Sequence, residues 1–335
     1  MSANTYSFRW NLSLFFLALI LSFVVFLAAC GNQSAQGGAI KDNDGTEGTE
    51  ATGTTREITH AMGTTKIEGT PERIVTLYQG ANDAAAAFGI KPVGMVESWL
   101  ELPIYDYLKA DLEGVSIVGQ ETQPNLEEIA KLNPDLIIAS KLRHEEVYEQ
   151  LSLIAPTVTH ETVFEFKETV ELMGKAMNKE EKAAEILSAW DARVADFKGK
   201  VQEKLGDQWP LNVSILNFRA DHARIYNTGF AGSILAELGF TRPENQQVDL
   251  PVTKLTDKES ITEMNADVFY IFMEDDAAVQ NTYEEWTNHP LWANLDAVKK
   301  DQVYVVDYIA WNMGGGIKAA NLMLDDIYDR FELEK

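Results

Sequence analysis

The sequence predicts an α/β protein of two lobes, each built on a parallel sheet, with one long helix between them. Three observations carry that expectation. Short apolar runs alternate with helical stretches in the first half of the body and again in the second, which is the pattern of βα units. A long helical period fills the middle. A ten-residue stretch of the first half recurs in the second.

In the first lobe, Pro71-Glu72-Arg73 leads into the short apolar strand Ile74-Val75-Thr76-Leu77. Small residues over 81–88 predict a helix closed by Gly89, and Pro92-Val93-Gly94-Met95-Val96 is a second strand. Helices over 125–132 and 145–153 and strands over 135–139 and 156–159 complete the lobe. In the middle, Asn178 and Glu181 have the spacing of a capping box. Beyond it Ala184, Leu187, Trp190, Val194, Phe197, Val201 and Leu205 recur at steps of three and four. Gly199 weakens this helix without ending it, so residues 179–205 would reach about 40 Å and pack across two lobes. The alternative is a helical hairpin inside one domain. The second lobe repeats the alternation, with strands over 212–218, 267–272 and 303–306. Its helices fall over 231–238, 258–264, 291–298 and 317–331.

The internal echo sets residues 127–136 (EEIAKLNPDL) against 259–268 (ESITEMNADV). Glu, Ile, Asn and Asp fall in register without a gap. The match reads as a duplication of the lobe, or as coincidence between two ordinary helix–strand joints.

The N-terminal segment reads differently. The only cysteine, Cys30, ends an apolar run and is followed by glycine in Leu27-Ala28-Ala29-Cys30-Gly31. Arg9 precedes that run. Basic head, apolar stretch and small residues are the order of a secretory signal. Small residues against a cysteine make a lipobox, so the chain is expected to be exported and tethered by a lipid on Cys30. A transmembrane anchor is the alternative, since the run is near the ~20 residues a span needs; Ser13, Ser22 and the Ala-Ala-Cys-Gly ending favour cleavage. From Gly31 the chain is polar and small, a flexible tether. The expected organisation is a signal peptide over 1–29, tether over 30–56, N-terminal lobe over 57–165, connecting helical segment over 166–208 and C-terminal lobe over 209–335.

Formal net charge is −24, and removing the single positive charge of Arg9 with residues 1–29 takes it to −25. Nucleic acid and anionic lipid surfaces are therefore excluded as partners. An anionic ligand is not, because a few arginines in a cleft dominate the field at short range. An exported chain with no disulfide must rely on a large core. No Gly-x-Ser-x-Gly, His-Glu-x-x-His or phosphate-cradling glycine loop is present, which argues against an enzyme. The five histidines are scattered, which argues against a receptor for the bare metal ion.

Residues 58–335 resemble the iron-siderophore solute-binding lipoproteins of ABC importers. The resemblance rests on Pro71-Glu72-Arg73-Ile74-Val75 with Leu77, Gly89-Ile90-Lys91-Pro92-Val93-Gly94, Pro124-Asn125-Leu126-Glu127, Asn133-Pro134-Asp135-Leu136-Ile137-Ile138, and Tyr308 to Asn312 before a final helix. It implies two Rossmann-like lobes on a backbone helix, the class III periplasmic-binding-protein fold. It further implies a ferric siderophore in the inter-lobe cleft, small closure, no resident cofactor or metal, and a monomer. The partners it implies are the permease subunits of an ABC importer with their ATPase. One glutamate per lobe would dock on permease arginines, and the matching positions are Glu127 and Glu259. Each also reads as an exposed acid favoured by a helix dipole. The anchor would face outward from the cell membrane; the long tether and acidic body suit a Gram-positive cell.

Ligands of parallel α/β lobes meet the loops at the carboxyl ends of strands. Those loops contain Tyr78, Trp99, the basic run Lys141-Leu142-Arg143-His144, Arg219, Arg224, Tyr226, Trp311 and Asn312. Iron saturated by chelator oxygens needs no protein ligand. It needs planar guanidinium forks, here Arg143, Arg219 and Arg224. It also needs aromatic walls, here Trp99, Tyr226 and Trp311. The alternative for the arginines is pairing with a local acid such as Glu145 or Asp221. His144 and His222 are at most hydrogen-bond partners. Lys141-Leu142-Arg143 and the run from Trp311 to Gly316 resemble the branch that takes citrate-hydroxamate siderophores. Met313 stands where some relatives with carboxylate ligands carry arginine, which weighs against a highly charged ligand. Haem, corrinoid and ferric-citrate receptors share the fold and remain alternatives.

Overall fold

The computed structural model describes residues 55–335; the signal segment, Cys30 and the tether up to residue 54 lie outside the described residues. The hairpin of β1 (Thr55–His60) and β2 (Gly63–Glu68) opens the body. Thr55 and Arg56 therefore belong to it and not to the tether expected to run to residue 56. Ile58 and Ile67 turn inward while their neighbours face water, the period of a half-buried hairpin. The Ala61 amide and the Thr65 hydroxyl donate to the carbonyls of Thr159 and Thr157, at 3.0 and 2.8 Å. The hairpin thereby covers a sheet edge that would otherwise stand open.

The first lobe continues with β3 (Ile74–Thr76), α1 (Gln79–Ala87), β4 (Gly94–Met95), α2 (Lys109–Leu112) and β5 (Ser116–Ile117). A tight hairpin of β6 (Gly119–Gln120) and β7 (Gln123–Pro124) follows, then α3 (Leu126–Lys131) and β8 (Leu136–Ser140). The lobe closes with α4 (Lys141–His144), α5 (Tyr148–Ile154) and β9 (Thr157–His160). The sheet runs β5-β4-β3-β8-β9, all parallel. Every residue of β8 is buried, the sign of a strand covered on both faces. The basic segment after β8 is one helical turn, α4, and not a loop. The helix expected over 145–153 begins as a 3₁₀ turn at Glu145–Val147 before α5.

Helix α6 (Phe166–Met177) and the backbone helix α7 (Glu180–Leu205) come next. Asn178 does not cap α7. It closes α6 in the left-handed region, φ 57°, ψ 45°, and Lys179 takes the N-cap position of α7 without a side-chain capping bond. Two helices separated by so short a turn need a left-handed residue, and Asn tolerates it. The expected stripe is buried at Trp190, Val194, Phe197 and Val201; Ala183 joins it, and Ala184 faces water. Gly199 is passed without a break, exposed and touching nothing. Trp190 meets Phe166 edge-on at 5.2 Å and donates its indole N–H to Glu237 at 3.2 Å. Phe197 sits among Trp209, Phe240, Tyr328 and Phe331. One apolar cluster thus runs from Ile74 and Leu136 of the first sheet past α7 to Val213 and Tyr270 of the second.

The second lobe comprises β10 (Val213–Phe218), β11 (Ala223–Tyr226), α8 (Phe230–Glu237), β12 (Val252–Leu255), β13 (Val268–Met273), α9 (Ala277–Thr287), α10 (Asp296–Lys299), β14 (Val303–Val305) and α11 (Ile317–Arg330). Its sheet runs β12-β11-β10-β13-β14. β10, β13 and β14 are parallel, and β11 and β12 are antiparallel. The three strands expected here, β10, β13 and β14, are thus parallel, but Arg224 and Tyr226, expected in a loop, lie in strand β11: the four residues between β10 and β11 permit a hairpin, whereas a parallel crossover needs a dozen or more. The helix expected over 291–298 is broken at Leu295, whose ψ is 145°. The echo lands at corresponding places. β8 and β13 each stand fourth in their sheets. Each follows a short helical segment capped by a side chain, Asn125 receiving the Glu127 and Glu128 amides and Asp257 receiving the Glu259 amide. Among the described residues no helix is long and apolar enough to cross a membrane.

Candidate ligand-binding cleft

On the first lobe, α4 directly follows β8 and carries Arg143 at the strand's carboxyl end. Its Nε donates to Glu121 Oε1 at 2.9 Å. The acid it pairs with is not Glu145, the local acid named in the alternative reading. The other Glu121 oxygen receives the Gln79 amide at 3.0 Å. Glu121 is only 3 % exposed; burial raises its carboxyl pKa, against the lowering effects of that amide and of Arg143. His144 is buried, donates Nε2–H to the Glu121 carbonyl at 2.9 Å and accepts the Ser140 amide on Nδ1 at 3.1 Å. Burial pushes its pKa down to about 4, so it stays neutral. Trp99, in the loop after β4, is 40 % exposed. Its amide donates to the Tyr105 hydroxyl, which in turn donates to the Met313 carbonyl at 3.3 Å. That bond joins the first lobe to the segment after β14.

On the second lobe, Arg219 directly follows β10. It donates to Glu274 Oε1 at 2.7 Å, Asn217 Oδ1 at 2.9 Å and the Tyr308 hydroxyl at 3.1 Å. Its acid is Glu274, at the end of β13, and not Asp221. Asp221 instead accepts from His222 Nδ1, and His222 Nε2 accepts from Arg224 Nε at 2.9 Å. Burial pushes the Tyr308 phenol up to about 12, so it remains a neutral donor and acceptor. Arg219, Arg224, His222 and Glu274 line an open hollow of about 410 Å³. A cavity of about 320 Å³ lies between the segment after β9 and the second lobe, walled by Phe164, Tyr226, Phe230, Pro251 and Val252, with Asn312 at its side. Tyr226 is held edge-on against Phe272 at 5.1 Å.

Two expected contacts are corrected. Trp311 has no exposed surface; its indole donates to Asp326 at 2.9 Å and its ring lies 4.5 Å from Tyr270. Residues Ile309–Met313 wind into a π turn, which turns Trp311 inward and leaves Asn312 partly exposed. Tyr78 is likewise buried beneath the cleft, its hydroxyl on Thr169 at 3.1 Å. Neither side chain presents surface to the cleft. Glu121, Glu274, Tyr105 and Phe164 were not among the expected residues. Nothing in the sequence marks them, because each becomes a site residue only through a partner far along the chain. Glu127 and Glu259 are exposed in the first turns of their helices.

Two α/β lobes pinned on one helix, with paired basic and aromatic side chains at the strand ends, define a solute-binding protein and not an enzyme. The chain matches the family described as "Periplasmic binding protein" over residues 74–310 and belongs to it. It is 46 % identical over 260 residues to the "Achromobactin-binding periplasmic protein" of Dickeya dadantii, covering 77 % of this chain and 85 % of the relative. Identity is also 46 % over 289 residues to the "Probable siderophore-binding lipoprotein YfiY" of Bacillus subtilis, covering 83 % and 88 %. Among solved structures, Staphylococcus aureus SirA complexed with staphyloferrin B is 52 % identical, with a TM-score of 0.81 over 84 % of this chain and 99 % of that one.

Proposed function

We propose that this chain is a lipid-anchored, extracytoplasmic receptor for a ferric siderophore, which it holds between its lobes and hands to an ABC importer. The observation that carries the reading is the pair of arginines that follow the carboxyl ends of strands in the two lobes, Arg143 after β8 and Arg219 after β10, the latter lining an open hollow with Arg224, together with a separate aromatic-walled cavity beside Tyr226. Guanidinium forks suit chelator oxygens, and the cavity suits an uncharged arm. Trp99, Tyr226 and Asn312 supply further contacts. The names of the relatives at 46–52 % identity support a siderophore ligand. The proposed class is citrate-based, its carboxylates on the arginines. Hydroxamate groups complete the chelator in the citrate-hydroxamate form of this reading. Lipidation at Cys30 after loss of residues 1–29, a tether, and docking of Glu127 and Glu259 on permease subunits served by an ATPase complete it. The lobe boundaries are proposed near 165 and 209.

Quenching of tryptophan emission in the full-length protein in detergent tests this. Ferric citrate-hydroxamate, achromobactin, staphyloferrin B, catecholate, ferric citrate, haem and free Fe³⁺ are titrated in parallel. Saturable quenching by a ferric siderophore, weakened by Arg143→Ala and Arg219→Ala, is expected. Quenching by haem or free iron alone overturns the reading.

A further inference from the structure

Glu121 occupies the turn of the β6–β7 hairpin, a place where an acid ordinarily faces water, yet it is buried. A buried carboxylate is costly unless donors surround it. Here the Gln79 amide at the start of α1 and Arg143 Nε supply them, one to each carboxylate oxygen. Its own carbonyl is fixed by neutral His144. The turn is thus held through main chain and side chain at once. Among the described residues the terminal nitrogens of Arg143 have no protein acceptor, and the side chain is 31 % exposed.

We infer that Glu121 is a positioning residue that fixes Arg143 for the ferric ligand, an inference that rests on the siderophore-receptor reading. A guanidinium is planar, so fixing Nε and the plane fixes the direction of both terminal nitrogens. Ordering an unrestrained arginine on ligand arrival costs rotamer freedom; an arginine fixed beforehand avoids that cost. The carboxylate also cancels the net charge of Arg143, so this lobe recognises oxygens by geometry more than by field. The other lobe differs. Glu274, the partner of Arg219, is 40 % exposed and has no other hydrogen bond among the described residues, so it is not braced.

The test is a double-mutant cycle on full-length protein, titrated with Fe(III)-staphyloferrin B and, in parallel, Fe(III)-achromobactin. Glu121→Gln keeps the shape and one oxygen for the Gln79 amide, but sets an NH₂ against Arg143 Nε–H. Dissociation constants should rise about tenfold in E121Q. R143A and E121Q/R143A should agree within about twofold, because the carboxylate acts through the arginine. Melting curves check the fold. Should E121Q be unfolded at assay temperature, Glu121→Asp, which retracts the carboxyl by one methylene, takes its place in the cycle. Additive losses, or an E121Q that binds like wild type while R143A does not, overturn the positioning role and leave the receptor reading intact. Wild type that binds neither ferric siderophore nor any other of the panel overturns both.

Discussion

The carboxylate of Asp83, on α1 of the first lobe, receives the amide of Lys318 at 2.7 Å, at the start of α11. It also receives the Ala319 amide at 2.9 Å and the Tyr107 hydroxyl at 2.9 Å. An acid from one helix thus serves the free amides of another, 235 residues away. Burial raises its pKa to about 6, against the lowering effects of those three donors. A folded pKa above the unfolded 3.8 means that the proton binds more tightly in the folded state. The associated stability is fully present below pH 3.8 and is lost as pH rises through about 6. His144 has the opposite sign: its contribution is full above pH 6.5 and is lost as pH falls through about 4. Comparison with Asp83→Asn cancels His144. The stability gap between wild type and D83N should widen by up to roughly 3 kcal/mol between pH 7 and 4, measured by denaturant unfolding. A gap that is flat with pH refutes it.

Gly316 makes that contact possible. A Cβ there would lie 2.3 Å from the Asp83 side chain, closer than atoms pack. Gly316→Ala should force the carboxylate off the α11 amides, leave buried donors unpaired and cost about 1–3 kcal/mol. Thermal melts of G316A and of G316A/D83N check this. The double variant should lose little beyond the larger single loss, because both changes break one junction.

The fold was legible where a local pattern sufficed. Trp190, Val194, Phe197 and Val201 announce α7 by period alone, and the 127–136/259–268 echo points to two alike lobes. What stayed hidden depends on distant pairing or on turn geometry. Asn178 has the composition of a cap and serves as a left-handed helix end. Trp311 looks like a loop aromatic, yet a π turn rotates it into the core against Tyr270. The place of Arg143 and Arg219 just after strands was readable from the alternation of apolar runs. Their acids, Glu121 and Glu274, were not, since they lie 22 and 55 residues away.

Trp311 therefore makes a testable distinction between core and cleft. Trp311→Phe removes the indole donor to Asp326 and some core volume. It should lower stability by about 1–3 kcal/mol and leave siderophore affinity within about twofold of wild type. Chemical denaturation and titration of the same preparation measure both. A selective loss of affinity at unchanged stability would return Trp311 to the cleft.

Glu274 should behave opposite to Glu121. It is half-exposed and competes with an anionic ligand for Arg219. Glu274→Gln removes that competition and one negative charge, so affinity for the ferric siderophore should improve by about fivefold, near 1 kcal/mol. The gain should shrink as salt is raised from 0.05 to about 0.5 M, where charges at this exposure are screened. Weaker binding by E274Q at every salt would show that the carboxylate braces Arg219.

Substitutions at Glu127 and Glu259 test the proposed delivery step apart from ligand binding. Both are exposed and stand at matching positions of the echo. Among the described residues the Glu127 carboxylate forms one ion pair, with Lys131 at 3.0 Å, and an exposed pair of that kind contributes at most about 0.5 kcal/mol. Glu127→Ala and Glu259→Ala should therefore leave melting and siderophore affinity unchanged. In cells, uptake of ⁵⁵Fe-siderophore should fall in each variant and most in the double, with surface-exposed protein unchanged by immunoblot. Charge reversal to Arg should be worse than Ala, because a docking acid that meets permease arginines becomes a repelling one. Uptake at the wild-type rate in the doubly reversed variant would remove both residues from the docking surface.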